Sequence, residues 1–361
     1  VEGSDAYAIS SVTGTVSRVA LLSGDFGRNR TAITVRKTSE DDFEPVLADA
    51  EPTLDTLRTF LSGAPGNPPL ALFGDSDKPI HTIVVCGLDA DLLVATNQYI
   101  IKARGEAVEK GIEVLKKATG IENVVIAVPR DLVQGFGHTG AAGLIAVDND
   151  YPAALPRMIL YRAFGKEVPA EQTCQDLGYA FVSAEAVASI GSAFAEGRPP
   201  LHKTVTLVDK VGRMQIVTAR IGTPIGKVLE AGRIELKDRD RIVVGGPMTG
   251  SAVFSEAHPV TAETDAVLVQ ESGSFTLVSD YPCINCGECV RVCPARVPVS
   301  MLVRFLEADQ YENAADEYDL HCCVDCGLCS YVCVARIPIF QYIRLAKHEL
   351  ARLNAVEASN G

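Results

Sequence analysis

Residues 283–298, CINCGECVRVCPARVP, and residues 323–338, CVDCGLCSYVCVARIP, are two copies of one pattern set forty residues apart. Each spaces four cysteines as C-x2-C-x2-C-x3-C and ends in Ala-Arg-(Val/Ile)-Pro. Three closely spaced thiolates can fold round one [4Fe-4S] cube, while the fourth of each run reaches the other cluster in two-cluster proteins. The spacing assigns Cys283, Cys286, Cys289 and Cys333 to one cluster and Cys323, Cys326, Cys329 and Cys293 to its neighbour. Gly287 and Gly327 sit inside the loops, where the backbone curls round the cluster and turns its N–H groups toward sulfur. Zinc is the alternative, but it favours two C-x2-C pairs parted by a loop. Nine of the eleven cysteines fall within residues 283–333. That crowding points to metal in a reducing compartment and away from a disulfide network.

The remaining thiols read as bystanders. Cys322 precedes ligand Cys323, and the spacing works only when counted from Cys323. Cys86 ends an apolar strand and Cys174 lies in a loop, where both read as inert. Position 334 is valine where the first run has Pro294, which loosens one loop without removing a ligand. A helix is expected after each run, over VSMLVRFLEADQYENAADEY and IFQYIRLAKHELARLNA, with the last dozen residues as a frayed tail. Arg336, Arg344, Lys347 and His348 form a basic strip beside the second run, which suits either a docking edge or a solvated helix face.

Outside this module the chain is long enough for two to four domains, at 361 residues. A hydrophobic content of 47% with 22% charged residues excludes a largely disordered chain. A net charge of −13 without a long basic run argues against a nucleic-acid partner. No run of about 18 apolar residues and no signal-peptide pattern occur, so no transmembrane segment is expected. Residues 1–40 alternate apolar and polar positions around Gly14, Gly24 and Gly27, as short antiparallel strands do. The stretch TLDTLRTFL reads as a short helix before the Pro/Gly-rich loop SGAPGNPPLALFG. Residues 70–200 read as an α/β domain. IHTIVVCG and NVVIAV are buried strands flanking the helix ARGEAVEKGIEVLKKATG, which Gly120 stops; AAGLIAV is a strand, and helices end at Gly165 and Gly197. Residues 201–278 return to strands with the short helix PIGKVLEAG between them, and residues 279–355 hold the cysteine module. The turns RIGTP (220–224) and GGPMTG (245–250) read as tight turns or as ligand contacts.

The cysteine runs, together with ARIGTPIGKVLE and IVVGGPMTG, resemble RnfC, the peripheral subunit of the Rnf ferredoxin:NAD oxidoreductase complex, over nearly the whole chain and in the same order. The resemblance implies an α/β multidomain fold. Its parts would be a barrel-sandwich element, here only half present, a Rossmann-like domain, a β-grasp (SLBB-like) soluble-ligand-binding domain and a helical two-cluster ferredoxin domain. It further implies an electron-transfer subunit that is cytoplasmic and peripheral on the inner face of the membrane, relaying single electrons through two [4Fe-4S] clusters. Its partners would be the other subunits of a membrane redox complex, with a ferredoxin or flavoprotein as soluble donor or acceptor. The alternative role in that family is an NADH-oxidising enzyme using FMN.

Family members that bind FMN and NADH carry a run like G-x-G-G-A-G-F-P-T before the first Rossmann strand. Here residues 62–74 read SGAPGNPPLALFG, and Pro65 and Pro68 remove N–H donors that a phosphate would use. The family's N-G-A-E-C-E-P-Y becomes CGLDADLL, and its Q-G-G-E-K becomes AALPR. The remnants that could still touch a nucleotide are Gly63, Gly66, Gly87, Asp89 and Asp91, and flavin binding is expected to be lost or altered. GFGHTG at 135–140 satisfies G-x-G-x-x-G literally but lacks the strand before it and the helix after it.

Overall fold

The computed structural model describes residues 9–23, 29–135, 142–279 and 281–360. All of the G-x-G-x-x-G stretch after Gly135 lies outside them. The protein is mixed α/β and divides into two compact units, one of residues 1–13, 39–167 and 172–272, the other of residues 14–38, 168–171 and 273–361.

In chain order the first elements are an antiparallel pair, β1 (Gly14–Ser23) and β2 (Asn29–Lys37), which belongs to the second unit. Its register shifts between Val16 and Arg18. That one-residue bulge brings Val16 and Val19, three apart and so out of phase, onto the face they share with Ile33 and Val35.

The first unit opens with α1 (Leu54–Leu61), which Thr53 caps by accepting the Thr56 N–H. A four-stranded parallel sheet follows in the order β5-β4-β3-β6, built from β3 (Thr82–Cys86), β4 (Val124–Pro129), β5 (Gly143–Val147) and β6 (Tyr179–Ser183). Its helices are α2 (Thr96–Ala103), α3 (Gly105–Thr119), α4 (Pro156–Phe164) and α5 (Ala184–Glu196). Gly120, Gly165 and Gly197 end α3, α4 and α5 with φ of 72°, 64° and 71°, the left-handed conformation expected of glycine at a helix end. Ile83, Val85, Ile126 and Val128 of the sheet pack with Ile112 and Leu115 of α3 and Val187 and Ile190 of α5. Where α3 meets α5, a Cβ on Gly111 would fall on the Val187 carbonyl oxygen, and one on Gly191 on the Ala107 carbonyl oxygen. The helices therefore cross backbone to backbone.

The same unit holds a five-stranded mixed sheet, order β10-β9-β11-β7-β8. Its strands are β7 (His202–Val208), β8 (Met214–Arg220), β9 (Arg241–Val244), β10 (Ser251–Val253) and β11 (Ala266–Gln270), with α6 (Ile225–Ala231) between β8 and β9. Only β11 and β7 pair in parallel.

The cysteine module contains α7 (Glu288–Val292), α8 (Val299–Glu307), α9 (Tyr311–Glu317), α10 (Leu328–Tyr331) and α11 (Ile339–Asn360). The single helix expected after the first run is two, broken at Asp309, whose φ is 55°. The expected frayed tail is helical to Asn360. Leu302, Val303 and Leu306 of α8 are buried against Ile337, Ile339 and Ile343. Each such apolar side chain contributes about 1.5–3 kcal/mol. Among the described residues no helix is long and apolar enough to cross a membrane.

Candidate metal centre

The forty-residue repeat is a repeat of backbone conformation. Asn285 and Asp325 have φ of 56° and 58°, Gly287 and Gly327 of 76° and 73°, and Arg296 and Arg336 of 56° and 59°. Hydrogen bonds repeat with them. The Arg291 and Tyr331 N–H groups donate to the carbonyls of Gly287 and Gly327, and those of Arg296 and Arg336 to Cys293 and Cys333. Each loop thus turns left-handed twice before a helix of one turn, and this curl aims three thiols inward. Left-handed φ suits glycine, and Asn and Asp tolerate it better than other residues.

Cys283, Cys286, Cys289 and Cys333 line one cavity of about 370 Å³, its open mouth included. Gly287, Val303, Ala335, Ile337 and Ile339 complete the wall, and Ile284 and Val334 stand at it 64% and 62% exposed. The fourth thiol therefore comes from the other run. Four thiols round one cavity suit a polynuclear group.

The other four also influence one another. Burial pushes the Cys329 thiol far up, helped by Cys323, Cys326 and Cys293, and burial raises Cys326, with Cys293 again contributing. Cys323 is pushed up to about 12, mainly by burial, and Cys289 is raised by burial with Cys283 and Cys286 beside it. These thiols are held neutral, and binding metal there would displace their protons. Cys322 lies on the short turn Leu320–Cys322, half-buried against the same core. Burial raises Cys174, and raises Cys86 at the end of β3 to about 12.

The basic strip is engaged in part. Lys347 pairs with Asp325 at 2.8 Å, Arg344 lies 5.7 Å from the Phe340 ring centre, and His348 stands 3.4 Å from Glu349.

The five nucleotide-site remnants lie in the parallel-sheet region. Gly87 follows β3 and Ser183 ends β6, so the crevice where sheet order reverses lies between them, the usual ligand position in such sheets. Here the chain fills the hydrogen-bonding positions itself. The Gly66 N–H donates to the Ala262 carbonyl, the Gly66 carbonyl accepts from Ser183 Oγ, and a Cβ on Gly66 would strike the Ala186 nitrogen. At the start of α5 the Ala186 N–H goes to Ser183 Oγ and the Glu185 N–H to Asn97 Oδ1, at 3.1 and 3.3 Å. Gly87 donates to the Ala127 carbonyl, and a Cβ on Gly63 would meet nothing within 4 Å.

Both acids bind backbone. Asp89 is buried and accepts the Asn97 and Gln98 N–H groups at 2.8 and 3.2 Å, at the start of α2; burial nevertheless raises its carboxyl to about 6. Asp91 accepts from the Met248 and Thr249 N–H groups and the Thr249 hydroxyl, at 3.1, 2.8 and 2.6 Å, closing the GGPMTG turn. In the RIGTP turn, Arg220 reaches Asp41 at 2.7 Å.

A buried network next to this region carries no signal in the sequence. Lys203 is fully buried and donates to Glu185, to Asp265 at 2.7 Å and to the Thr204 carbonyl at 3.1 Å, while Glu185 accepts the Thr204 N–H at 2.7 Å. Burial lowers the Lys203 pKa, but the Asp265 and Glu185 carboxylates raise it by more and keep the ammonium charged. The network ties α5 to β7, joining the parallel and mixed sheets.

These features define a mixed α/β protein with a duplicated four-cysteine module. In sequence it is a relative of the C subunits of ion-translocating oxidoreductase complexes, as the cysteine runs implied. It is 29% identical to the Pseudomonas aeruginosa protein of that kind over 65% of this chain and 31% of that one, and 26% identical to the Rhodobacter capsulatus protein over 65% and 47%. It is 24% identical to the corresponding protein of the Na+-translocating ferredoxin:NAD+ oxidoreductase complex of Acetobacterium woodii, over 65% and 55%. The chain spans about a third to a half of the length of these curated relatives. An NAD+-reducing [NiFe]-hydrogenase chain in the air-oxidised state superposes with a TM-score of 0.45 at 15% identity, covering 68% of this chain and 49% of that one. That likeness is too low to build on. No protein-family model matches the chain.

Proposed function

We propose that the protein is an electron-transfer subunit of a membrane redox complex, and that it holds two [4Fe-4S] clusters. Cys283, Cys286, Cys289 and Cys333 would bind one, and Cys323, Cys326, Cys329 and Cys293 the other. The observation that carries this is the single cavity walled by three thiols of one run and the fourth of the other. Such clusters supply one-electron oxidation and reduction. The chain's own part is to hold eight thiolates, curl two glycine loops round them and exclude water with Val303, Ile337 and Ile339. Cross-ligation would also fasten the two runs to one another. Its relatives' names place them in ion-translocating complexes, and we extend that setting to this chain, with a soluble redox carrier on one side and a membrane subunit on the other.

The second part of the reading is that the crevice of the parallel sheet no longer takes flavin. The N–H groups at the start of α5 that could bind a phosphate are bonded to Asn97 and Ser183. Anaerobic purification followed by iron, sulfide and flavin analysis tests both parts. About eight irons per chain, two reducible centres and no flavin are expected. A chain that stays iron-free after anaerobic reconstitution overturns the first part, and stoichiometric FMN overturns the second.

A further inference from the structure

Because the repeat gives both groups of thiols the same backbone, the differences between them lie in side chains. The position two residues past the first cysteine is Asn285 in one run and Asp325 in the other, left-handed in both. Asn285 Oδ1 accepts from Arg304 Nη2 of α8 at 2.7 Å and lies 4.0 Å from Cys283 Sγ. No ion pair joins Arg304 to a described carboxylate. Asp325 Oδ1 lies 3.8 Å from Cys323 Sγ, and both its oxygens accept from Lys347 of α11, which also donates to the Cys323 carbonyl. The first group therefore faces a guanidinium through a neutral amide. The second faces a neutralised ion pair whose carboxylate end lies against sulfur.

Solvent access differs in the same sense. Cys286 of the first group is exposed where its counterpart Cys326 is buried, while Cys289 and Cys329 are buried alike. Reduction adds a negative charge, so nearby positive charge and solvent favour the reduced form, while a carboxylate and burial oppose it. Two contacts act the other way: the Asp325 N–H donates to Cys323 Sγ at 3.4 Å, and the Lys347 ammonium, held on the Cys323 carbonyl, offsets the Asp325 carboxylate at that sulfur. Burial of Cys323 is the larger influence and opposes both, and removing the Asp325 charge would leave Lys347 uncompensated beside the sulfur.

We propose that the two sites are electrically unequal by construction, with Asn285 and Arg304 making the first the more easily reduced and Asp325 making the second the less easily reduced. The inference rests on the reading that each group of thiols holds a [4Fe-4S] cluster. Arg304 and Asp325 act here as tuning residues outside the ligand set.

A potentiometric titration of the anaerobically purified full chain, followed by electron paramagnetic resonance, tests it. The centre lost in Cys286→Ser identifies the first site. The first centre is expected to reduce at the higher potential. At a fixed solution potential, Asn285→Asp and Arg304→Gln should each lower its reduced-to-oxidised ratio by about twofold to tenfold. Asp325→Asn should raise the ratio at the second centre by a similar factor. Arg304→Lys, which keeps the charge, should behave nearly as the parent, and a purely structural role for Arg304 would not give that rescue. Full iron content with the first centre titrating below the second, or with midpoints unmoved by the three charge changes, overturns the inference alone. A chain without iron overturns both the inference and the reading beneath it.

Discussion

The cysteine module and the glycine loop before β3 are both dense in motif residues, yet the chain uses them in opposite ways. In the module the chemistry resides in side chains, and the spacing of thiols decides which can meet round one cavity. In the loop it would reside in backbone N–H groups, and the letters do not say whether those are free. They are not: Gly66 bonds to Ala262, and the first turn of α5 bonds to Ser183 and Asn97. A ligand set can be counted from sequence, whereas the availability of a backbone donor depends on residues distant in the chain, here 88 positions away for Asn97 and Glu185.

The sharpest way to break this comparison is Cys333→Ser. It should remove the centre bound mainly by the first run, leaving about four irons per chain and one reducible centre, read by iron analysis and electron paramagnetic resonance. Loss of the centre tied to Cys323 instead would refute the cross-ligation and with it the claim that spacing decides the site.

A second test moves to the network beside the crevice. Lys203→Met leaves Glu185 buried without its cation and should cost about 3–5 kcal/mol in denaturant unfolding. Lys203→Met with Glu185→Gln should recover much of that loss, because no unpaired charge then remains buried. Equal losses in the single and double variants would mean that Lys203 acts through packing alone.

A smaller effect is expected from pH. Asp89 titrates near 6 when folded against 3.8 when unfolded, so between about pH 4 and 6 the folded state binds more protons. Its contribution to stability is fully present below about pH 4 and is lost as pH rises through 6, a change on the order of 2–3 kcal/mol. Asp89→Asn should flatten that part of the stability–pH curve, and an unchanged slope would contradict the burial assigned to this carboxyl. The smallest effect belongs to Asp91→Ala, which frees the donors of the 247–249 turn at a cost of about 1–3 kcal/mol. Iron and flavin content should stay as in the parent. A change in flavin content would restore Asp91 to a nucleotide site and erase the contrast between the two regions.

Legibility followed the same division. Helix ends marked by Gly120, Gly165 and Gly197 could be read directly, since a left-handed residue there is most cheaply glycine. The short helix α2 escaped because Asp89, which holds its first turn, lies eight residues before Asn97, outside any capping position a local pattern samples. Strand β6 escaped because its five residues run straight into α5 with no turn between them. Lys203 in HKTVTLV looks like any polar residue on an alternating strand. Only the fold shows that Glu185 and Asp265 meet it. Of the candidate site, the two runs and Gly287 and Gly327 were visible as candidate ligands and loops, while the Asn285/Asp325 contrast acquires meaning only with Arg304 and Lys347 in place.

The crossing of α3 and α5 through Gly111 and Gly191 bears on how this protein can vary over time. Every single-base change of a glycine codon that still encodes a different amino acid adds at least a Cβ, and at these two positions that carbon lands on a carbonyl oxygen of the facing helix. Drift by way of alanine or serine is therefore closed at both sites at once. Across descendants of this chain the pair should persist together while the surrounding helix surface changes, a fossil of the packing between the two helices.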